Sequence, residues 1–377
     1  MLNIKSFKFR IYPTSKQNTL LNQNLEACRF LYNHFLSQRK DSYEKEKKSL
    51  TYHTQAVSIV KLKKEKPFLQ SVHAQVLQNV AVRIDLGFKA FFRRVKAKEN
   101  PGYPRFKGYG RYNSITFPQA SNGSCQINNN RLYVSKIGHI KIKQHRELPF
   151  KPKTATISKS STGKWYVSFT CEINKEILKK TNKSIGIDVG IESFITFSDG
   201  SKIDNPKFFR KDEKDLAKAQ RKLSKAIKGS PDRKRRRKAV SKIHERISNR
   251  RTNFTHQEST KIIKQFDTIC IEDLSINKML SNNHRCLNKS ITDASWSQFF
   301  NQLSYKAEYA GRKLVKVNPA YTSQTCSICG HRREKKLSER VHNCPCCNIS
   351  IHRDHNASLN ILSLGLQTLA LNELRSS

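Results

Sequence analysis

The sequence predicts an α+β chain of several domains: a small β-barrel with helices inserted into it, followed by an α/β domain that carries a cysteine-rich insertion. Three patterns support this. Short strand-like runs separated by Gly, Pro and Ser fill residues 131–173, whereas residues 14–98 repeat apolar side chains every three or four positions. Beyond Ser184, apolar strands alternate with helical patterns, and two CxxC pairs interrupt them.

In residues 2–12, LNIKSFKFRIY, apolar and basic residues alternate, the period of a strand with one buried face, and Pro13 ends it. Thr14 or Ser15 suits an N-cap, after which Leu21, Leu25, Cys28, Leu31, Tyr32 and Phe35 line one helix face. A second amphipathic helix covers residues 71–98. Its stripe is Val76, Val80, Ile84, Phe88 and Phe92, and its polar face ends in Arg93, Arg94, Lys96 and Lys98. If the first strand pairs with the runs RLYVSKI, HIKIK, TATISKS and KWYVSFTCEI, the helices are an insertion in a barrel. The expected domains are then 1–13 with 99–182 for the barrel and 14–98 for the helices. Between them, PGYPRFKGYGRYNSITFP interleaves aromatic and basic residues, a composition suited to base stacking and phosphate neutralisation. Arg105, Lys107, Tyr109 and Arg111 are its candidate nucleic-acid contacts.

The α/β domain is expected over residues 183–377. SIGIDVGI reads as a buried strand, and SFITFSDGSKI as two strands joined by a type I′ turn at Asp199 and Gly200. A basic helical hairpin follows. Leu216, Leu223 and Ile227 mark one arm and Val240, Ile243, Ile247 and Phe254 the other, broken at Gly229-Ser230-Pro231. RKRRRK opens the second arm; in a chain basic throughout, Arg235, Arg236 and Arg237 read as phosphate contacts rather than as a localisation patch. FDTICIEDL then reads as strand and turn, WSQFFNQLSYKAEYAGRK as a helix ending near Gly311, and KLVKVNP as a strand.

Charge narrows the function. Seventy-two Lys and Arg against 29 Asp and Glu leave +43, which calls for a polyanionic partner. A membrane surface is the weaker choice, because a spanning helix needs about 20 consecutive apolar residues, and ASLNILSLGLQTLALN, with its Asn, Ser, Gln and Thr, reads as a core helix. MLNIKSFKFRIYP has no small-residue cleavage site, and Cys28, Cys171 and Cys270 sit singly in apolar runs. These features predict a cytoplasmic chain with reduced thiols.

Two metal sites are legible. Cys326 and Cys329, then fourteen residues, then Cys344 and Cys347, give four thiolates on two knuckles, the ligand set of structural zinc. Cys346 is the spare thiol; using it instead of Cys347 would make a CxC pair. Three carboxylates stand where a carboxylate is expensive or sharply placed: Asp188 inside an apolar strand, Glu272 at the end of TICIE with Asp273 as its rival, and Asp354 just before the helix HNASLNILSLGL. Taken singly they read as a buried acid, a strand-end surface residue and a helix N-cap. Together they fit a ribonuclease H-like arrangement able to hold two Mg²⁺ about 4 Å apart for phosphodiester hydrolysis. His352 and His355 read as surface residues at the helix start.

In order along the chain, KFRIYPTSKQ, PRFKGYGRYNSITFP, GIDVGIESFITFSDG, ICIEDL, NPAYTSQTCSICG, NCPCCN and RDHNASLNIL resemble the TnpB proteins of bacterial insertion sequences, compact RuvC-type nucleases related to type V CRISPR effectors. The resemblance implies that Asp188, Glu272 and Asp354 are catalytic acids binding Mg²⁺. It also implies a wedge barrel, a recognition lobe at 14–98 and a RuvC domain with a zinc ribbon at 319–352. The implied partners are a guide RNA from the transposon end and double-stranded target DNA, handled by a bacterial or archaeal, nucleoid-associated monomer. Two departures from the family pattern are His352, where an acid is common, and the extra thiol of Cys346. Competing readings are a nuclease-dead RNA-guided repressor, whose acids would be free to drift, and a ribonuclease of structured RNA. A tyrosine transposase would need a His-hydrophobic-His tripeptide, which the sequence lacks.

Overall fold

The computed structural model describes residues 3–282, 284–335 and 339–374 and divides into two compact units, up to Asn174 and from Lys175. Residues 178–182 join the second unit through its hydrogen bonds: the Leu178 N–H donates to Ala310, and Thr181 and Asn182 donate to Asp267. The division therefore falls before the change of composition at 183.

The first unit comprises β1 (Asn3–Tyr12), α1 (Ser15–Glu46), α2 (Tyr52–Glu65), α3 (Ala74–Lys96), β2 (Ser114–Phe117), β3 (Cys125–Asn128), β4 (Arg131–Val134), β5 (Gly138–Lys143), β6 (Thr154–Lys159) and β7 (Trp165–Ile173). Leu2, expected in the first strand, lies outside the described residues. Thr14 caps α1 in a box with Gln17, so the helix starts where its side chain can accept the Gln17 N–H. In the antiparallel sheet, ordered β2-β6-β7-β1-β5-β4-β3, the N-terminal strand sits between β7 and β5. The helices are thus an insertion between neighbouring strands of one sheet, as the periodicity indicates. The ring of strands expected of a barrel is not closed by pairing. The two edges, β2 and β3, are four-residue strands that pair with β6 and β4 alone among the described residues.

Alternation decides the faces of this sheet. Phe7, Phe9 and Ile11 share one core with Val167 and Phe169 of β7 and with the stripes of α1 and α3. Phe92, expected in the α3 stripe, is exposed because that stripe leaves the core after Phe88. On the opposite side of β1, Lys8 and Arg10 stand over the Tyr166 ring at 4.4 and 5.1 Å. The segment 101–113 has no regular structure and is fastened to α1 by its backbone: Asn33 bonds both the N–H and the carbonyl of Lys107, and the Gly110 N–H donates to Glu26.

The second unit comprises β8 (Ser184–Val189), β9 (Ser193–Phe197), β10 (Lys202–Asp204), α4 (Phe208–Ser224), α5 (Pro231–Gln265), β11 (Thr268–Glu272), α6 (Ile276–Asn282), α7 (Arg285–Ala294), α8 (Trp296–Ala310), β12 (Lys313–Val317), β13 (Val341–Asn343), β14 (Ser350–His352) and α9 (Arg353–Leu374). Its main sheet runs β10-β9-β8-β11-β12, antiparallel in the hairpins and parallel where β11 meets β8 and β12. Only Gly200 of the expected type I′ turn has positive φ (86°). The Gly200 N–H bonds the Phe197 carbonyl and the Phe197 N–H bonds Ser201, so the hairpin closes through a three-residue loop. Ile227 lies beyond α4 and is exposed.

Two layers cover this sheet. Ile185, Ile187, Ile269 and Ile271 pack with Ile262 and Ile263 of α5 and with Phe299 and Leu303 of α8. The other face belongs to α9, which approaches the strands backbone to backbone. A Cβ on Gly186 would lie 2.1 Å from the Ser358 carbonyl oxygen, and one on Gly365 would lie 2.2 Å from Cys270 Sγ. These glycines set the crossing of helix and sheet.

Helix propensity favours alanine over glycine at position 365 by about 1 kcal/mol, but overpacking typically costs about 1–3 kcal/mol and wins. Gly365→Ala is therefore expected to lower stability in denaturant melts by up to about 2 kcal/mol, and Gly186→Ala, in a strand without that helix gain, by about 1–3 kcal/mol. Gly102→Ala, which meets nothing within 4 Å, is expected to stay within about 0.5 kcal/mol of the parent.

Candidate functional site

The parallel register places Ile271 of β11 opposite Ile187 of β8. One step further, Asp188 and Glu272 leave the paired strands level with each other, on the face that α9 covers. Gly186 and Cys270, two residues earlier, face the same way and receive the helix. The helix carries Asp354 in its first turn rather than before it, and a Cβ on Gly190 would lie 4.0 Å from Asp354 Oδ2.

Electrostatics reports the convergence. Burial, then the charges of Glu272 and Asp354, hold the Asp188 carboxyl well above the usual carboxylate range, with Arg353 acting the other way. Burial also raises Glu272, against a hydrogen bond from Thr322. The rival Asp273 is exposed and paired with Lys316, because alternation turns it away from Glu272. The carboxylates do not all come within 4.8 Å of one another, as the four thiols do. Such a cluster, with Asp354 buried, Asp188 and Glu272 half-buried and one guanidinium nearby, suits hard divalent cations, which take oxygen ligands.

Cys326, Cys329, Cys344 and Cys347 form the one tight His/Cys/Asp/Glu group among the described residues. Sγ separations of 3.6 Å (Cys326–Cys347) and 3.5 Å (Cys329–Cys344) approach the roughly 3.8 Å edge of a tetrahedron with Zn–S bonds of about 2.3 Å. Backbone N–H groups of Cys347 and Cys346 draw the Cys344 thiol down, while desolvation and the neighbouring thiols push Cys329 up, so one thiolate is favoured among the four. Cys346 is exposed and outside the cluster, since its backbone serves the knuckle. All ten cysteines are free, and Cys28, Cys171 and Cys270 are buried as expected.

The histidines near Asp354 are not simple surface residues. His352 Nδ1 accepts the Asp354 N–H at 3.3 Å, and the His355 ring packs under the hairpin loop, 3.3 Å from where a Gly200 Cβ would be. Sequence reasoning missed Thr322, Asn356 and Asn360, which stitch the turn before the first knuckle to Glu272 and α9. The signal was present as two asparagines four residues apart on one face of the last helix.

Candidate nucleic-acid contacts divide between the units. In the first, Tyr109 is 84% exposed with the Arg29 guanidinium 6.0 Å from its ring. Arg105 and Arg111 are exposed, while Lys107 is half-buried with Nζ 5.6 Å from the Tyr32 ring. In the second, Arg235 and Arg236 pair with Asp232, and Arg236 also bonds the Lys222 carbonyl at the end of α4. Arg237 is exposed.

The probable transposase family OrfB_IS605 matches residues 168–283, the Cas12f1-like TNB domain matches 296–361, and the associated helix-turn-helix domain matches 1–48. Here the last region is a strand and one long helix. A "Putative RNA-guided DNA endonuclease" of Streptomyces pristinaespiralis is 35% identical over 374 residues, covering 97% of this chain and 90% of the relative. The chain belongs to the TnpB family. Another relative, the "Putative RNA-guided DNA endonuclease InsQ" of Escherichia coli K12, is 31% identical over the whole of this chain and 96% of its own. A Cas12f1 chain solved with guide RNA and target DNA shares the fold, with a TM-score of 0.59 at 14% identity, over 96% of this chain and 98% of that one. In this TnpB protein no helix among the described residues is long and apolar enough to cross a membrane.

A carboxyl whose folded pKa is raised lends stability below its unfolded pKa and loses it as pH rises through the folded value. Above its unfolded pKa the raised Asp188 carboxyl therefore opposes folding, and Asp188→Asn should raise the melting temperature of protein kept free of divalent cations at its carboxylates. The scale is roughly 2–4 °C per kcal/mol relieved in a domain of this size. Calorimetry at pH 7 and pH 4 checks it: the gain is expected at pH 7 and should shrink at pH 4.

Proposed function

We propose that the chain is an RNA-guided DNA endonuclease that hydrolyses phosphodiester bonds at Asp188, Glu272 and Asp354. The observation that carries this reading is geometric: Asp188 and Glu272 lie level on the face of the sheet that α9 covers, and Asp354 sits in the first turn of that helix. The two relatives aligned over nearly the whole chain are named for RNA-guided DNA cleavage. In this reading residues 183–377 are a ribonuclease H-like RuvC domain with the zinc ribbon at 319–352. Residues 14–98 are the recognition domain, and the strands of 1–13 and 99–182 are the wedge. The setting is the bacterial cytoplasm, where a +43 chain meets nucleic acid.

Asp188, Glu272 and Asp354 would hold Mg²⁺, and the four cysteines Zn²⁺. Bound Mg²⁺ supplies Lewis acidity for in-line displacement at phosphorus. The chain's own residues do the rest. The sheet and α9 hold the acids in a fixed relation, so the charge they present is preorganised. Arg353, beside Asp354, offsets part of the acid charge where a phosphate must approach. Tyr109 offers an exposed ring for stacking, and Arg105, Lys107, Arg111, Arg235, Arg236 and Arg237 face phosphates, with Lys8 and Arg10 adding charge on the open side of the first sheet. Base pairing by a guide then reads sequence, and the protein binds backbone, so affinity should fall steeply with salt.

Reconstitution with the RNA that co-purifies tests this. The wild-type complex should cut a matched duplex, and Asp188→Ala should bind it equally while losing cleavage on the order of 10⁴-fold. Cleavage persisting in Asp188→Ala would contradict the assignment. Protons compete with Mg²⁺ for the raised Asp188 carboxyl, so cleavage is lost as pH falls, from a higher pH than an ordinary carboxylate allows. In single-turnover assays, added Mg²⁺ should move that loss to lower pH.

A further inference from the structure

The turn that opens the zinc ribbon touches both elements that carry the acids. Thr322, 5% exposed, directs its hydroxyl to Glu272 Oε1 at 2.5 Å and has the Pro319 carbonyl at 3.2 Å. A hydroxyl has one proton to donate, and the shorter contact to a carboxylate takes it. The same turn is tied to α9. Asn356, fully buried, donates to the Thr325 carbonyl at 2.7 Å and accepts the Ser327 N–H, inside the first knuckle, at 2.9 Å. Asn360, one helical turn on, spends both amide protons on the carbonyls of Thr322 (2.8 Å) and Thr325 (2.7 Å). The turn is therefore held on one side by the cysteine cluster that follows it and on another by the helix of Asp354. Its hydroxyl is aimed at Glu272.

We infer that Thr322 is a positioning residue: held directly by Asn360, in a turn that Asn356 fastens at Thr325, it fixes the Glu272 carboxylate relative to Asp354, so that the opening turn of the ribbon sets the divalent-cation affinity of the acid site. The inference rests on reading the three carboxylates as a cation site. A glutamate at a strand end has three side-chain torsions to order. A donor fastened to one of its oxygens orders them in advance and leaves the other oxygen for a cation. Partners of ligating carboxylates commonly change metal affinity about 10–100-fold. A ribbon serving only to stabilise the fold would not need a hydroxyl directed at this acid.

The test is a Mn²⁺ titration of full-length, zinc-loaded, RNA-free protein, with free Mn²⁺ read from its electron paramagnetic resonance signal. Thr322→Val keeps the shape and loses the donor; it is expected to weaken Mn²⁺ binding about tenfold or more, with zinc content and melting temperature unchanged. Thr322→Ser should restore most of the affinity. Asn360→Ala, which releases the turn from α9 without touching Glu272, should weaken binding in the same direction by a smaller factor. Wild-type Mn²⁺ affinity in Thr322→Val overturns the inference. If Thr322→Val loses zinc, the other two variants decide, and wild-type affinity in Asn360→Ala is then the overturning result. A distinct failure is Asp188→Ala titrating like wild type, which removes the cation site itself and the inference with it.

Discussion

Three carboxylates can be gathered under one helix only if something stronger than their repulsion holds the helix down. Here that is the close approach of α9 to β8 and β11, where Gly186 and Gly365 remove the side chains that would otherwise separate the layers. On the far face of the sheet, the isoleucines of both strands lock into α5 and α8. Desolvation and the neighbouring Glu272 and Asp354 charges push the Asp188 carboxyl up.

The ribbon belongs to the same construction. Its four thiols form a cluster within 4.8 Å of one another. The turn leading into it spends its polar groups on α9 and Glu272. Soft thiolates and hard carboxylates, which suit different ions, thus lie at either end of one short segment.

Much of this was legible in the residues. Asp188 stood out because a charge inside IGIDVGI violates the pattern of a buried strand, and the cysteine spacing names its own geometry. The choice of Glu272 over Asp273 needed only the two-residue period of a strand once β11 was paired. What the residues did not reveal were relations between segments. Gly186 and Gly365 look like ordinary glycines until a helix lies across them. Thr322 and Asn360 look like loop and surface polarity until the turn is folded back. The open edges at β2 and β3 were hidden because alternation reports which face is buried and not whether a sheet closes. Neither α6 nor α7 was foreseen: these short helices pack through residues such as Ile291, with too few turns to show a period. Arg236 was read as a phosphate contact from charge alone, whereas its guanidinium also serves Asp232 and the end of α4.

The most direct test of a shared cation site is anomalous diffraction from crystals grown with Mn²⁺ and Zn²⁺. Manganese density bounded by Asp188, Glu272 and Asp354, with zinc density among Cys326, Cys329, Cys344 and Cys347, is the expected result. Manganese bound elsewhere, with the three carboxylates unliganded at millimolar concentrations of the ion, would contradict it.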